Sequence, residues 1–424
     1  MKVAVISDSL PGYHRLWSGA EIIAETLAEM LDGNGCMAFC VTAPFDKKPA
    51  KGGIEVLEVK TPLKRFGAIS RNFPVDIGAI RGVYRVLKMK RPDIVHINAK
   101  YLFLPAVVAS WRLGIPVVFT VPDYFIFCPT TFIRRPDGRS CESYHGKDCH
   151  NCLTLLGEGF LKKMVSAVPA VFTRSLLALR AKGFDYILRK LPAYVVLSES
   201  SKERLVRYGI PEEKVRLIYH YRLAAPEETK EEITNPSAVF VGWLTEENGV
   251  DVLVRAFIKA QKELPEARLY LIGTGKEGFI KGLKREVAEA GINGKVVFLG
   301  KKENSEALSI ISKCDVTVAP HQWPKEFGPV ILIEALAMGK PVIASRIGAT
   351  DEFVSDGENG FLVDDYRSPA AFAEKLALLL SDRRLAREMG GRHKGRTGFV
   401  RDDSSSRKMK ELYRSLLARH EKAG

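Results

Sequence analysis

Trp323–Val363 reads W-P-K-E-F-G-P-V-I-L-I-E-A-L-A-M-G-K-P-V-I-A-S-R-I-G-A-T-D-E-F-V-S-D-G-E-N-G-F-L-V, and its punctuation decides the fold. Gly328-Pro329 marks a helix start, with proline where a missing N–H does no harm, and Met338-Gly339 marks the stop. Short apolar runs at Val316–Ala319 and Val342–Ser345 flank it, so the unit is strand–loop–helix–strand. Glu326 lies just ahead of the helix. Glu334 lies five residues past Pro329, roughly 7–8 Å along the axis at about 1.5 Å per residue. The free N–H groups and positive dipole end at Gly328, Pro329 and Val330 suit a diphosphate. The carboxylates suit sugar hydroxyls, Glu334 a ribose and Glu326 a donor sugar. On two glutamates alone, an ordinary helix with a surface acid and a capping acid is the stronger reading.

The rest of the chain supplies the setting. A length of 424 residues accommodates two to three domains with large cores. A hydrophobic content of 46% with 27% charged residues is that of a globular protein. There is no run of about eighteen apolar residues, so no spanning helix is expected. The start M-K-V-A-V-I-S-D-S reads as a buried strand, since Asp8 interrupts an apolar run too short for a signal peptide. The expected location is therefore cytoplasmic. A net charge of +14 favours anionic partners: nucleotide phosphates, anionic lipid or nucleic acid. The charge is dispersed and no nucleic-acid motif occurs, which ranks nucleic acid last.

Strand and helix patterns alternate from Lys2–Ile6 onward, through Asp93–Asn98, Pro116–Val121 and Ala193–Ser198, and this argues a doubly wound parallel sheet. Such sheets bind ligands at the carboxyl ends of their strands, which directs attention to His96 and Asp123. For His96 a satisfied structural histidine outweighs a ligand contact. Ser18-Gly19 opens the first helix with small residues that let phosphate or sugar approach the backbone, though an ordinary helix entry fits equally. Residues 220–237, rich in Glu, Pro and Thr, form a linker between domains at 1–219 and 238–400. Gly273-Thr274-Gly275 follows the strand Arg268–Ile272 as a tight turn able to seat a base or phosphate. Met409–Leu417 has helical periodicity within a C-terminal segment, 401–424.

Two stretches of the first domain carry their own chemistry. Cys128-x12-Cys141-x7-Cys149-x2-Cys152 ends in knuckle spacing, and four thiolates would complete a structural zinc site fixing the loop 125–155. Free thiols are the balanced alternative. Gly159–Phe184 contains Lys162, Lys163, Arg174, Arg180 and Lys182 and no acid, on an apolar-periodic background. With the basic stretch Lys60–Arg71 it suits an anionic membrane surface; a core-packing helix with a solvated basic face competes evenly.

Glu326-x7-Glu334, followed by E-A-L-A-M-G-K-P-V-I-A-S, a Gly-Ala turn, an acid and D-G-E-N-G-F-L-V, closely resembles retaining glycosyltransferases of the nucleotide-sugar type (group 1, or family 4). The resemblance implies the GT-B architecture: two facing Rossmann-like doubly wound α/β domains with a deep interdomain cleft. It further implies that the last helix crosses back to the first domain. The implied reaction moves a sugar from a nucleotide sugar to an acceptor hydroxyl with retention and without a metal, in glycolipid, polysaccharide or glycoconjugate biosynthesis. By resemblance Glu326 and Asp123 are the catalytic candidates, the second at a strand end that usually reads His-Asp and here reads Pro122-Asp123. Glu334, Gly328, Pro329, Val330, Gly242, Trp243, Asn248, Gly273, Gly275 and Gly19 are the donor-binding candidates. The partners implied are a nucleotide sugar and a carbohydrate or lipid-linked acceptor, with the enzyme cytoplasmic or peripheral on the inner membrane face. Some members carry a similar C-P…C…C-x2-C insertion.

The chain also departs from the family's pattern. Phe327-Gly328 follows Glu326 directly, where the usual form leaves a longer gap. Trp243 and Asn248 stand where the family places the Arg and Lys that clamp the diphosphate. Losing such cations removes electrostatic help of roughly a few kcal/mol each, about two to three decades in rate. Hence the competing class, a catalytically weak or inactive nucleotide-sugar binder acting as a partner subunit. A nicotinamide oxidoreductase is disfavoured, because no Gly-x-Gly-x-x-Gly follows either first strand.

Overall fold

Near-continuous apolar runs such as Val3–Ile6 and Val117–Phe119 are buried throughout rather than on alternate residues. That pattern belongs to parallel strands covered on both faces. In the computed structural model, residues 1–15, 19–46, 53–62, 72, 75–137, 139, 141, 149–157, 159–220, 233–324, 330–393 and 403–423 are described. The chain divides into two units, Met1–Tyr221 with Arg401–Gly424, and Arg222–Val400.

In the first unit, β1 (Lys2–Ser7), β2 (Met37–Thr42), β3 (Glu55–Glu58), β4 (Ile94–Asn98), β5 (Val117–Thr120), β6 (Ala193–Val196) and β7 (Val215–Leu217) form one sheet. The order is β3-β2-β1-β4-β5-β6-β7 and every pairing is parallel. Its helices are α1 (Gly19–Asp32), α2 (Ile77–Lys90), α3 (Phe103–Leu113), α4 (Cys149–Leu156), α5 (Gly159–Ala167), α6 (Ala170–Lys190) and α7 (Glu199–Tyr208).

The second unit repeats the plan. β8 (Ser237–Val241), β9 (Arg268–Ile272), β10 (Val296–Gly300), β11 (Val316–Ala319), β12 (Val342–Ser345) and β13 (Gly360–Val363) pair in the order β10-β9-β8-β11-β12-β13, again all parallel. Between and after them run α8 (Val250–Ala260), α9 (Glu277–Glu289), α10 (Asn304–Lys313), α11 (Val330–Ala337), α12 (Thr350–Phe353), α13 (Pro369–Ser381) and α14 (Arg383–His393). Both units are thus Rossmann-like, with the strand order reversing beside the first strand of each.

The last helix, α15 (Asp403–Ala423), belongs to the first unit. Met409, Leu412, Tyr413 and Leu416 join the cluster built by Val3, Val5, Ile94 and Val118. Tyr413 Oη lies 2.6 Å from His96 Nδ1, and His96 Nε2 lies 2.6 Å from Thr120 Oγ1. Burial, followed by nearby His220, lowers the His96 pKa well below its ordinary value. His96 is therefore a buried structural group.

The structure also revises local expectations. The stretch 125–155 is not wholly loop: Cys149–Leu156 is helical, which puts Cys149 and Cys152 on adjacent turns. The basic stretch at 159–184 is two helices parted at Pro169, which caps α6. Arg180 is not on the basic surface; it is 5% exposed, donates to the Phe125 carbonyl and stacks on Phe184. Most of Lys60–Arg71 lies outside the described residues. No helix among the described residues is long and apolar enough to cross a membrane.

Candidate functional site

Open parallel sheets bind ligands where the strand order reverses, outside the carboxyl ends of the strands. In the second unit that point lies between β8 and β11. Beyond β8 the chain turns at Gly242, and beyond β9 at Gly273, whose φ is 141°. A Cβ on Gly273 would sit 1.8 Å from the Gly242 carbonyl oxygen, so only glycine lets the two exit loops touch. They then run on as a pair, with Leu244 N–H donating to Thr274 at 2.8 Å and a bridge between Leu244 and Gly275. On the other side Gly249, at the start of α8, has φ 69° and would place a Cβ 1.8 Å from the Pro320 oxygen after β11. Backbone from three strand ends is thereby drawn together without intervening side chains.

Asn248 is buried, and its Nδ2 donates to the Trp243 carbonyl at 2.8 Å. It closes its own loop. The Trp243 ring is 41% exposed at the mouth of that loop. The structure therefore has an aromatic face and an amide staple at the two positions expected to contact the donor.

Helix α11 is apolar nearly all round: Ile331, Leu332, Ile333, Ala335 and Leu336 are buried, as an interior helix requires. Within it Glu334 is only 4% exposed, and its Oε1 accepts from Asn304 Nδ2 at 2.7 Å across to the start of α10. A carboxylate in such a place must be held by polar partners. Val330 is the first residue of α11. Glu326, Gly328 and Pro329, and Lys325 beside them, lie outside the described residues.

In the first unit the reversal lies between β1 and β4. Asp8, just past β1, takes three successive N–H groups ahead of α3. Lys100 donates to Oδ2 at 2.7 Å, Leu102 to Oδ1 at 2.9 Å, and Tyr101 to both oxygens at 3.1 Å. This grip fixes Lys100, whose ammonium pairs with Asp123 Oδ2. The other oxygen, Asp123 Oδ1, accepts from Phe125 N–H at 2.8 Å. Asp123 is accordingly a capped and ion-paired acid. Asn98 Nδ2 donates to the Ala20 carbonyl at 2.6 Å, tying the end of β4 to α1 one residue past Gly19. Asp8 and Lys100 were not legible as site residues, because their link joins positions 92 apart in the chain. The one signal was an acid directly after the first strand.

The structure gives the zinc expectation no support. Among the described residues no group of three or more His, Cys, Asp or Glu side chains is placed to hold a metal ion. Cys149 instead packs with Leu153, Leu161, Val165 and Leu177. The Cys128 sulfur lies 3.2 Å from Thr130 Oγ1. Burial, and then the neighbouring Cys128, Cys152 and Cys141, push the Cys149 thiol up to about 12.

Comparison with known proteins follows the same division. The family model "Glycosyltransferase Family 4" matches residues 17–220, and "Glycosyl transferases group 1" matches residues 224–396. A D-inositol 3-phosphate glycosyltransferase of Corynebacterium urealyticum is 36% identical over 187 residues, 42% of this chain and 42% of that protein. The chain spans between 40% and 60% of the length of the first curated relatives it matches. Among solved structures, Anabaena HepE in complex with UDP and glucose superposes with a TM-score of 0.69 at 17% identity, over 98% of this chain and 100% of that one. Sucrose-phosphate synthase from Thermosynechococcus elongatus gives 0.67 at 19% identity, over 98% and 99%. At these identities the likeness is one of fold.

Proposed function

Because the chain belongs to the group 1 glycosyltransferases, we propose that it transfers a sugar from a nucleotide sugar to an acceptor hydroxyl with retention. The second unit holds the donor. The observation that carries this reading is Glu334, a carboxylate 4% exposed on an apolar helix, oriented by Asn304. A ribose diol is the kind of partner that such an acceptor group can select. The glycine-lined strand ends admit the diphosphate to the backbone, and the N-terminal end of α11 supplies a favourable dipole. HepE, solved with UDP and glucose and with UDP-glucose, supports a uridine nucleotide as the first donor to try.

In the reaction the bond from the anomeric carbon to the diphosphate oxygen breaks. The bond to the acceptor oxygen forms on the same face, and the acceptor proton passes to the departing diphosphate. Glu326 is assigned to the donor sugar. Asp123, ion-paired with Lys100, is assigned to orienting the acceptor side of the first unit. The acceptor is a carbohydrate or a lipid-linked hydroxyl in glycan assembly, met at the cytoplasmic face of a membrane.

The competing reading is a nucleotide-sugar-binding partner subunit, and Asn248 favours it, since its amide is used on Trp243. One experiment separates the two. The protein is incubated with a panel of nucleotide sugars, with and without membrane lipid extract, and nucleoside diphosphate release is scored beside calorimetric affinity. Release that rises with acceptor supports transfer; binding without release identifies the partner subunit. Glu334→Ala should weaken donor binding about 10- to 100-fold, the loss of a charge-assisted hydrogen bond of roughly 1.5–3 kcal/mol. Unchanged affinity would remove Glu334 from the donor site.

A further inference from the structure

Helix α6 has an inner face made by Thr173, Leu177, Arg180, Phe184 and Leu188. Its outer side is not polar. Val171 is 65% exposed, Phe172 63%, Leu176 47% and Leu179 68%. Phe172, Leu176, Leu179, Gly183 and Tyr186 recur at alternating spacings of four and three. They form a single stripe along about 21 Å of helix. Lone exposed apolar side chains are ordinary on a soluble surface, whereas a contiguous row marks an interaction site.

At the far end of the stripe the Tyr186 ring meets Trp111 of α3 edge-on, 6.5 Å between centroids. Both rings are partly open to solvent, 55% and 39% exposed. Lys190 donates to the Tyr186 hydroxyl at 2.7 Å. Lys162, Lys163, Arg174 and Lys182 stand exposed on α5 and α6. The nearest acid that follows, Asp185, is held by Arg189.

We propose that this surface docks the protein on an anionic lipid bilayer, the α6 row entering the headgroup–acyl boundary and the Trp111–Tyr186 pair lying at headgroup level. The composition fits that occupant: aliphatic and Phe side chains for the acyl boundary, Trp and Tyr for the interface, and the cations of an acid-free stretch, residues 159–184, for lipid phosphates. A second copy of the chain fits less well, because pairing two such faces would set basic flanks against each other. The docking itself stands apart from glycosyl transfer. It rests on that reading only in its consequence, that the acceptor is carried by a lipid.

The test is flotation of the full chain with vesicles of phosphatidylcholine alone or of phosphatidylcholine with phosphatidylglycerol. The wild type should float with the anionic vesicles only, and more weakly as salt rises. The triple variant Phe172→Ser, Leu176→Ser, Leu179→Ser should lose at least about tenfold in partitioning. Replacing Lys162, Lys163, Arg174 and Lys182 with Gln should abolish the salt-sensitive part. All seven side chains are exposed, so both variants should keep the wild-type circular dichroism and melting curve. Nucleoside diphosphate release without lipid should be unchanged in both, which separates failure of docking from failure of the transferase reading. A wild type that stays unbound at low salt overturns the proposal, as does a triple variant that floats normally. Equally fatal would be a wild-type dimer that the triple variant dissociates, since the face would then be a self-interface.

Discussion

At the scale of single residues, the glycines of the second unit have unequal importance, and the inequality is testable. Gly273 sits at φ 141°, with the Gly242 carbonyl where its Cβ would go. Gly278 lies in the first turn of α9 with nothing within 4 Å of its would-be Cβ. Gly273→Ala should therefore cost more than about 3 kcal/mol and take donor binding with it, since the loops must part. Gly278→Ala should stabilise by up to about 1 kcal/mol, because alanine loses less backbone freedom in a helix. Urea unfolding of the two variants checks this, and equal midpoints would mean the loop contact is not tight. Glu334 was legible because an acid inside an apolar helix is visible in one dimension. Asn304, its hydrogen-bond partner, was not, since thirty residues and a strand separate them. Trp243 and Asn248 were legible as departures, but their mutual bond was not. It depends on a loop turning back on itself, and no periodicity encodes that.

Among the elements, strands were the most readable and the helices of mixed composition the least. β1, β4, β5 and β12 are apolar runs closed by polar residues. α14, Arg383–His393, is missing from the sequence reading because its arginines hide a narrow buried edge at Ala386 and Met389. α15 was legible only in part: periodicity marked Met409–Leu417, whereas the helix runs Asp403–Ala423. Its docking partner was invisible, because Tyr413 meets a histidine 317 positions away. Tyr413→Phe should cost about 1–3 kcal/mol, the loss of one hydrogen bond plus a buried ring nitrogen left unpaired. Tyr413→Ala should cost about 3–5 kcal/mol, as for other large aromatic truncations. If the two variants unfold alike, packing rather than the polar contact anchors α15.

For the whole molecule, two of the buried histidines, His96 and His220, make stability depend on pH in a direction that can be worked out. His220 is 0% exposed; its Nδ1–H donates to the Ile218 carbonyl at 3.0 Å, and its Nε2 has no hydrogen-bond partner among the described residues. Burial lowers its pKa to about 4, and His96 is lowered as well. The unfolded chain, with ordinary histidines near 6.5, therefore binds protons that the folded chain refuses. Stability is fully present above about pH 6.5, falls as the pH drops, and levels off for His220 near its folded value of about 4. The His220 share of that loss is on the order of 3 kcal/mol, the free-energy equivalent of its lowered proton affinity. A chain of net charge +14 at pH 7 also repels itself more strongly as its carboxylates are neutralised, in the same direction. A pH profile of the wild type alone would not separate the two effects. Comparison with His220→Gln would, because the variant keeps the charge background and removes one titrating group. Its unfolding free energy should fall less steeply than the wild type's between pH 6.5 and about 4, and the two curves should run parallel above pH 7. Superimposable slopes throughout would show that His220 is protonated as readily in the folded chain as in the unfolded one, and that its burial carries no proton linkage.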